Sequence, residues 1–473
     1  MNDVAQTNLP AREEAPPRSA PIARFVTGSI MRHVIVMTLT SSVGLMSLFF
    51  VDLASLFFLS MLGRTEITAA IGYAGTVSFV NLSFNIGIGI AAAALVAQSL
   101  GRNEPERAKR FATSALVVTM ILGVALSAAI AIFARPLLGL LGAHGEALEL
   151  ARTYLVTVMP GFALLAGAIT ASFALRGAGD PTRAMYITLI AAIVNGILDP
   201  IFIFVFKLGI QGAAMSTVVA QFVAFAVGLH GMHRVHRLIV PFDLAGFRRD
   251  LKPIFGIAVP AVLTQLATPF ATAYMTRVAA PFGDEAVAAV AIINRIVPVA
   301  FGVIFSLAGA VGPIIGQNFG AGEFSRVRRA LSDGIVFAAL YTLTTAGILF
   351  LLRHHVPAAF SAQGETARLV TFYCTWLAVT YAFTGSQFVA QAAFNNLGRP
   401  IWSTFSNWGR ATIGTIPLVH IGAAWAGPEG VLTGSAIGSI AFGFGAASVA
   451  FWLTRQLEKR AHAHALKRAA ESR

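Results

Sequence analysis

Twelve predominantly apolar runs, each longer than 20 residues, set the limits on what this chain can fold into. Continuous runs predict membrane-spanning helices, because the strands of outer-membrane barrels alternate apolar and polar residues. Only 12% of the residues are charged, whereas a soluble globular protein has about 25%. We therefore predict an all-α polytopic membrane protein, with spans at 34–60, 66–97, 112–134, 150–175, 184–206, 210–231, 254–279, 286–316, 331–352, 367–395, 401–425 and 429–454.

Basic residues are distributed unevenly over the loops between these spans. An even number of spans puts both termini on one side, and the segments on that side hold 25 of the 34 Lys and Arg residues. Such an excess is typical of cytoplasmic loops, so we predict cytoplasmic termini in a prokaryotic inner membrane. The net charge of +13 then reflects topology, and nucleic acid is not an expected partner.

The chain also repeats itself, with an offset of 218 to 220 residues. "VAQSLGRNEPERAKRF" (96–111) aligns with "IGQNFGAGEFSRVRRA" (315–330), and "RGAGDP" (176–181) aligns with "NNLGRP" (395–400). Further matches join 61–71 with 281–291 and 208–217 with 426–435. Because each half has six spans, the halves have the same orientation and form two pseudo-symmetric six-helix lobes.

This repeat predicts the domain organisation. We expect a disordered cytoplasmic tail at 1–30, an N-lobe at 31–231, a basic cytoplasmic linker at 232–252, a C-lobe at 253–456 and a basic cytoplasmic tail at 457–473.

Acidic residues inside the spans distinguish the two halves. Of 21 acidic residues only Asp52 and Asp199 lie well inside spans, and the aligned positions in the second half are near Thr272 and Leu418. A role in packing six helices is expected to recur in both halves. The asymmetry therefore favours a functional role, as is usual for acids in membrane spans.

A polar cluster surrounds the second of these acids. Asn195 and Asp199 are four residues apart and share one helix face, and Thr217 on the next span offers a hydroxyl. Pro200 cannot donate to the carbonyl of residue 196, which leaves that oxygen free on the same face. These oxygens suit a hard cation such as Na⁺, and a carboxylate removed from water also takes up a proton more readily. The alternative is that Asp199 forms structural hydrogen bonds at a helix kink.

Other polar residues in the spans are candidates for lining a substrate cavity. Each can instead form a hydrogen bond between helices, and that role is the more frequent one. They are Asn81, Asn85, Gln221, Gln265, Gln387, Gln391 and Arg295.

From about residue 30 to 456 the chain resembles the MATE family of multidrug and toxic compound extrusion transporters. The motifs that carry the resemblance are "AQSLGRNEPERAKR", "LRGAGDPTRA", "NGILDPIFIF", "LGIQGAAMSTVVAQ" and "GQNFGAGEFSRVRRA". The resemblance implies an N-lobe cation site at Asn195, Asp199 and Thr217, with an aspartate of the first helix. Spacing from the family's glycine, here Gly63, points to Ser55, whereas the local "FVD" points to Asp52 one turn earlier.

The resemblance implies a secondary active antiporter that exports organic cations or amphipathic compounds in exchange for H⁺ or Na⁺. Apart from this coupling ion we expect no cofactor, and no metal beyond Na⁺ at Asp199, Asn195 and Thr217. The expected partners are small-molecule substrates and membrane lipids, and we expect a monomer. A lipid-linked oligosaccharide flippase of the same superfamily is the alternative. A membrane-embedded enzyme is not expected, because no nucleotide-binding loop, nucleophile elbow or zinc-protease motif occurs.

Overall fold

The computed structural model describes residues 23–471, and these residues form helices without any strand. Ten helices in this part of the chain are long and apolar enough to cross a membrane. Treating interrupted helices as single spans, and dividing the last one at its kink, gives twelve. The first half holds α1 Ile30–Ser60, α2 Thr65–Gly101, α3 Pro105–Ile132, α4 Gly145–Gly177, α5 Pro181–Val205 and α6 Gly209–Val235. The second half holds α7 Leu244–Phe282, α8 284–320, α9 Phe324–Leu351, α10 364–396, α11 401–425 and α12 428–471.

The predicted repeat is visible in the order of the helices. A short helix follows the third span of each half, at Ala134–Leu140 and at His355–Ala359. Buried apolar residues of α8 to α10 form one core with residues of α12, and two smaller cores belong to the first half. Val34 and Met37 of α1 belong to the core of the second half. Helix α1 therefore begins against one lobe and continues into the other.

Several spans are interrupted rather than continuous. Helix α8 breaks at Phe301, three residues after Pro298, whose ring removes a backbone donor. Helix α10 contains a π turn and a 3₁₀ turn over 373–380, and α11 breaks between Ala411 and Ile416. In the first half, α5 ends in a π turn that directly follows Pro200. A π turn is wider than an α turn, and in α5 it lies where Pro200 removes a backbone hydrogen bond.

On the side of the membrane where the termini lie, the two halves cross at close range. Gln98 donates to the carbonyl of Asn396 over 3.0 Å, and Gln317 donates to the carbonyl of Gly177 over 2.9 Å. A Cβ at Gly101 would lie 2.0 Å from the Gln317 carbonyl oxygen, so the backbones touch there. The lobes are therefore closed against each other on the terminal side.

A segment before α1 completes this closure, although we predicted a disordered tail at 1–30. Residues 1–22 lie outside the described residues, but Phe25 is buried and its N–H donates to Gln317 Oε1 over 2.9 Å. The Phe25 carbonyl accepts from Asn318 over 3.1 Å and from Arg326 over 2.9 Å. The prediction is thus wrong for 23–29, because side chains almost 300 positions away hold this segment. Helix α1 also begins earlier than predicted, at Ile30.

The loop between α4 and α5 contains a buried carboxylate that gives a prediction for stability. Asp180 is 5% exposed, caps α5 through the Arg183 N–H, and lies 2.8 Å from His236 Nε2. Burial raises the pKa of Asp180, but the hydrogen bonds from His236 and from the backbone and side chain of Arg183 outweigh it, so the pKa lies below its ordinary value.

We expect Asp180→Asn to lower the free energy of unfolding at pH 7 by about 1–3 kcal/mol, because a charge-assisted buried network is lost. A lowered pKa stabilises the fold fully above the ordinary carboxyl pKa of about 4; this contribution shrinks as the pH falls below that value and is lost as the pH passes the lowered pKa. Thermal unfolding in detergent at pH 7 and at about pH 3 tests this. An equal difference at both values would contradict the assignment.

Candidate functional site

The buried carboxylate of Asp199 connects three helices of the first half. Asp199 lies in the last turn of α5 before Pro200 and is 1% exposed. Ser55 of α1 donates to its Oδ2, and Ser216 of α6 donates to its Oδ1. Both carboxylate oxygens therefore accept hydroxyl donors, and no basic side chain pairs with Asp199 among residues 23–471.

The two residues predicted from neighbouring positions lie close by. Asn195, one turn before Asp199, is 8% exposed, and its Oδ1 is buried with no hydrogen-bond partner in the described structure. Asp52 lies one turn before Ser55 on α1, in the vicinity of Asp199. Its side chain is exposed, and no hydrogen bond to Asp199 is formed. Of the two first-helix candidates, Ser55 is the one that contacts Asp199.

The Thr217 side chain does not contact Asp199. Its hydroxyl donates to the Ala213 carbonyl of its own helix over 2.8 Å, and Tyr154 of α4 lies beside it. The neighbouring residue Ser216 contacts Asp199 instead, and sequence reasoning missed it. Ser216 is fully buried, and only its polarity within an apolar span could have pointed to it. Successive helical residues are about 100° apart, so spacing alone could not choose between the two.

The Asp199 site has the chemistry of an oxygen-only cation site. It combines a carboxylate, the buried amide oxygen of Asn195 and the hydroxyls of Ser55 and Ser216. Oxygen ligands of this kind suit H⁺ and hard cations. Nowhere in the described ranges do three or more His, Cys, Asp or Glu side chains come close enough to hold a metal ion.

The predicted cavity residues differ in burial and in hydrogen bonding. Asn85 donates to Asn81 within α2 over 3.2 Å, and both are buried. Gln387 donates across to the Ser406 carbonyl over 3.0 Å, which is a bond between helices. Gln221 and Gln391 are buried and each has one polar atom without a partner, Gln265 is half-buried, and Arg295 is exposed with no ion pair in the described part of the chain.

A pair of adjacent hydroxyls offers a matched test of this geometry. We expect Ser216→Ala to reduce coupled transport by about tenfold, the effect of losing one interaction of about 1.4 kcal/mol to a charged group. Thr217→Ala is expected to reduce it less than threefold, since its hydroxyl bonds within α6 (about 0.5 kcal/mol or less). Initial transport rates at equal expression decide this, and a larger loss in Thr217→Ala would show that the site uses Thr217.

Both halves of the chain match a known protein family. A family model described as MatE matches residues 41–201 and again residues 260–420, a displacement of 219 residues. The displacement agrees with the internal repeat, and the two matches together cover more than half of the chain.

Individual relatives cover most of the chain. A FAD transporter of Shewanella oneidensis is 31% identical over 431 residues, which cover 90% of this chain and 93% of that protein. A probable multidrug resistance protein of Bacillus subtilis, YpnP, is 24% identical and covers 86% of this chain and 92% of its own. A mutant of the Vibrio cholerae MATE transporter VcmN has a TM-score of 0.85 at 25% identity, and covers 91% of this chain and 97% of that chain.

Proposed function

This chain belongs to the MATE family of multidrug and toxic compound extrusion transporters, and on that premise we propose a secondary active antiporter coupled through the N-lobe. The observation that carries the proposal is the buried Asp199, which accepts hydrogen bonds from two helices and has no basic partner in the described structure. The family consists of membrane transporters rather than enzymes. An unpaired acid in a membrane span is costly, and such acids usually serve a function such as cation exchange.

Helix α1 offers a route from this site to the lobe interface. Near one end its Ser55 contacts Asp199, and near the other end its Thr38 carbonyl accepts from Ser306 of the second half over 3.2 Å. When H⁺ or Na⁺ binds Asp199, its hydrogen bonds with Ser55 and Ser216 change. The position of α1 against the second half then changes with them, which alters the balance between the two conformations.

The closure on the terminal side supports an assignment of state. We propose that both termini are cytoplasmic in a prokaryotic inner membrane, as the basic loops indicate. A cavity between the lobes would then open toward the outside, which is the state that releases substrate and takes up the coupling cation. Rocking of the two lobes would expose the same cavity to the cytoplasm. We expect the transporter to act as a monomer.

The exported compounds are proposed to be organic and amphipathic. Relatives named as multidrug resistance proteins support cationic compounds, and the relative named as a FAD transporter supports aromatic compounds that carry phosphate. A lipid-linked oligosaccharide flippase is the alternative within the superfamily. It would transport without regard to Asp199, which separates the two proposals.

Export from proteoliposomes under imposed gradients tests the proposal. Purified wild type is reconstituted with a fluorescent organic cation, and either a pH gradient or a Na⁺ gradient is applied. We expect export with one gradient only, which identifies the coupling ion. Export that ignores both gradients would contradict antiport and favour the flippase.

A further inference from the structure

Two arginines within the helical bundle have no acidic partner. Arg176 lies in the last turn of α4 and Arg410 in the last turn before the break of α11, and neither takes part in an ion pair among the described residues. Both are half-buried, and the Nε of each is buried without a hydrogen-bond partner in residues 23–471. An unpaired guanidinium away from bulk water is expensive, and the protein keeps two.

The repeat argues that these arginines are not needed for packing. At the offset of 219 residues, Arg176 corresponds to Asn395 and Arg410 corresponds to Ala191. Asn395 accepts from Ser403 over 3.0 Å, so a neutral side chain satisfies the equivalent place in the other lobe. Each lobe folds with a positive charge at one of the two positions and without it at the other.

Arg176 reaches from the first half to the second. Its guanidinium lies over the Phe173 ring, 5.3 Å from the ring centroid. A Cβ added at Gly309 of α8 would lie 3.0 Å from Nη1 of Arg176, so the charged group touches the facing lobe. Arg176 therefore lies where the two lobes meet.

Arg410 is linked to the same helix of the second half indirectly, through the ring of Tyr381 in α10. Its one described side-chain hydrogen bond is a long one, from Nη2 to Asn407 Oδ1 over 3.3 Å, and Tyr381 lies within electrostatic range of its guanidinium. The Tyr381 ring lies 6.1 Å from Phe305, which lies 5.7 Å from Phe388. Because residues 305 and 309 are four apart, Phe305 and Gly309 share one face of α8, which links the two arginines.

We propose that these residues bind the anionic, aromatic part of a transported compound. The arginine–aromatic strip, as we name it, holds the rings of the compound against Phe305, Tyr381 and Phe388 and its carboxylate or phosphate against the arginines. Arginine presents a planar fork of donors that suits both anions, and aromatic side chains provide stacking surface. The strip deepens the proposed export function and rests on it. The strip lies apart from the cation site, which holds acids of α1 and α5. The anionic substrate therefore meets positive side chains, and the coupling cation meets negative ones.

Two xanthene dyes of similar size and opposite charge test the strip. Carboxyfluorescein and rhodamine 6G are measured with the full-length protein, by fluorescence anisotropy for binding in detergent and by export from proteoliposomes. We expect Arg410→Gln to weaken carboxyfluorescein binding by about tenfold or more, the effect of a lost charge-assisted pair. Rhodamine binding should change by less than about twofold, and Arg410→Lys should lie between. Arg399→Gln, which removes an exposed arginine of the loop between α10 and α11, is the matched control.

The outcomes separate the strip from the antiport proposal. Carboxyfluorescein binding that depends on Arg410, without gradient-driven export of either dye, would retain the strip as a binding site and overturn antiport. Equal losses for both dyes, unchanged carboxyfluorescein binding in Arg410→Gln, or no binding to wild type would each overturn the strip. Displacement of the dye by benzoate or by phenyl phosphate then shows whether carboxylate or phosphate is the preferred anion.

Discussion

Asp199→Asn is expected to slow gradient-driven export strongly while the protein remains folded. The amide has the shape of the carboxylate and still accepts from one of the two serine hydroxyls, but it holds neither a proton nor a cation at neutral pH. A coupling free energy between sites is typically 1–3 kcal/mol, so we expect a loss of about 5- to 150-fold in the initial export rate. Proteoliposomes with equal amounts of protein give this rate directly.

A second buried acid provides the control for Asp199→Asn. Asp333 of α9 is 4% exposed and pairs with Arg329 over 2.8 Å, on the terminal side of the second half. Asp333→Asn also removes a buried charge, but it lies outside the proposed cation site. We expect it to cost stability and to keep the dependence of export on the gradient. If Asp199→Asn exported at the wild-type rate, Asp199 would be a structural hydrogen-bond acceptor and coupling would lie elsewhere.

The sequence predicts the fold well because membrane spans are defined by local composition. Backbone groups in hydrocarbon must be satisfied within one helix, so length and apolar content are enough to find most spans. The repeat then gives the two lobes, since duplicated segments fold alike. The interruptions are harder to predict: Pro298 precedes the break of α8, and Pro417 lies just after the break of α11 over 412–415. Helix α7, in contrast, is continuous over Leu244–Ala279 although that stretch contains three prolines.

The Asp199 site is predicted in part, for a geometric reason. Asn195 and Asp199 share a helix face at any rotation of α5, so their spacing suffices. The choice of Ser216 over Thr217 depends on how α6 is rotated against its neighbours, and packing between helices sets that rotation. Sequence spacing fixes distances along a helix but not this angle. The same limit applies to 23–29, whose order comes from distant contacts with Gln317 and Arg326.

Gly101→Ala is expected to disfavour the closure of the lobes on the terminal side. A Cβ at Gly101 would lie 2.0 Å from the Gln317 carbonyl oxygen, and one at Gly320 would lie 2.2 Å from the Gln98 carbonyl oxygen. These are backbone atoms of packed helices, which cannot turn aside as a flexible side chain can. An added methyl group therefore forces the two crossing turns apart and disfavours the closed state. Gly75→Ala, on the same helix with nothing within 4 Å of its Cβ, is the matched control.

The distance between the lobes measures this effect. Spin labels at Glu106→Cys and Ser325→Cys, both exposed at the start of α3 and α9, report the separation on the terminal side once the buried Cys374 is replaced by serine. We expect Gly101→Ala to shift the population toward longer distances and to reduce export by at least about tenfold, since a shift of 1.4 kcal/mol changes a two-state ratio by that factor. Gly75→Ala should leave both unchanged. A transporter that must reach both states turns over more slowly when either state is disfavoured. If Gly101→Ala left the distance distribution and the export rate unchanged, the crossing would not be part of the transport cycle.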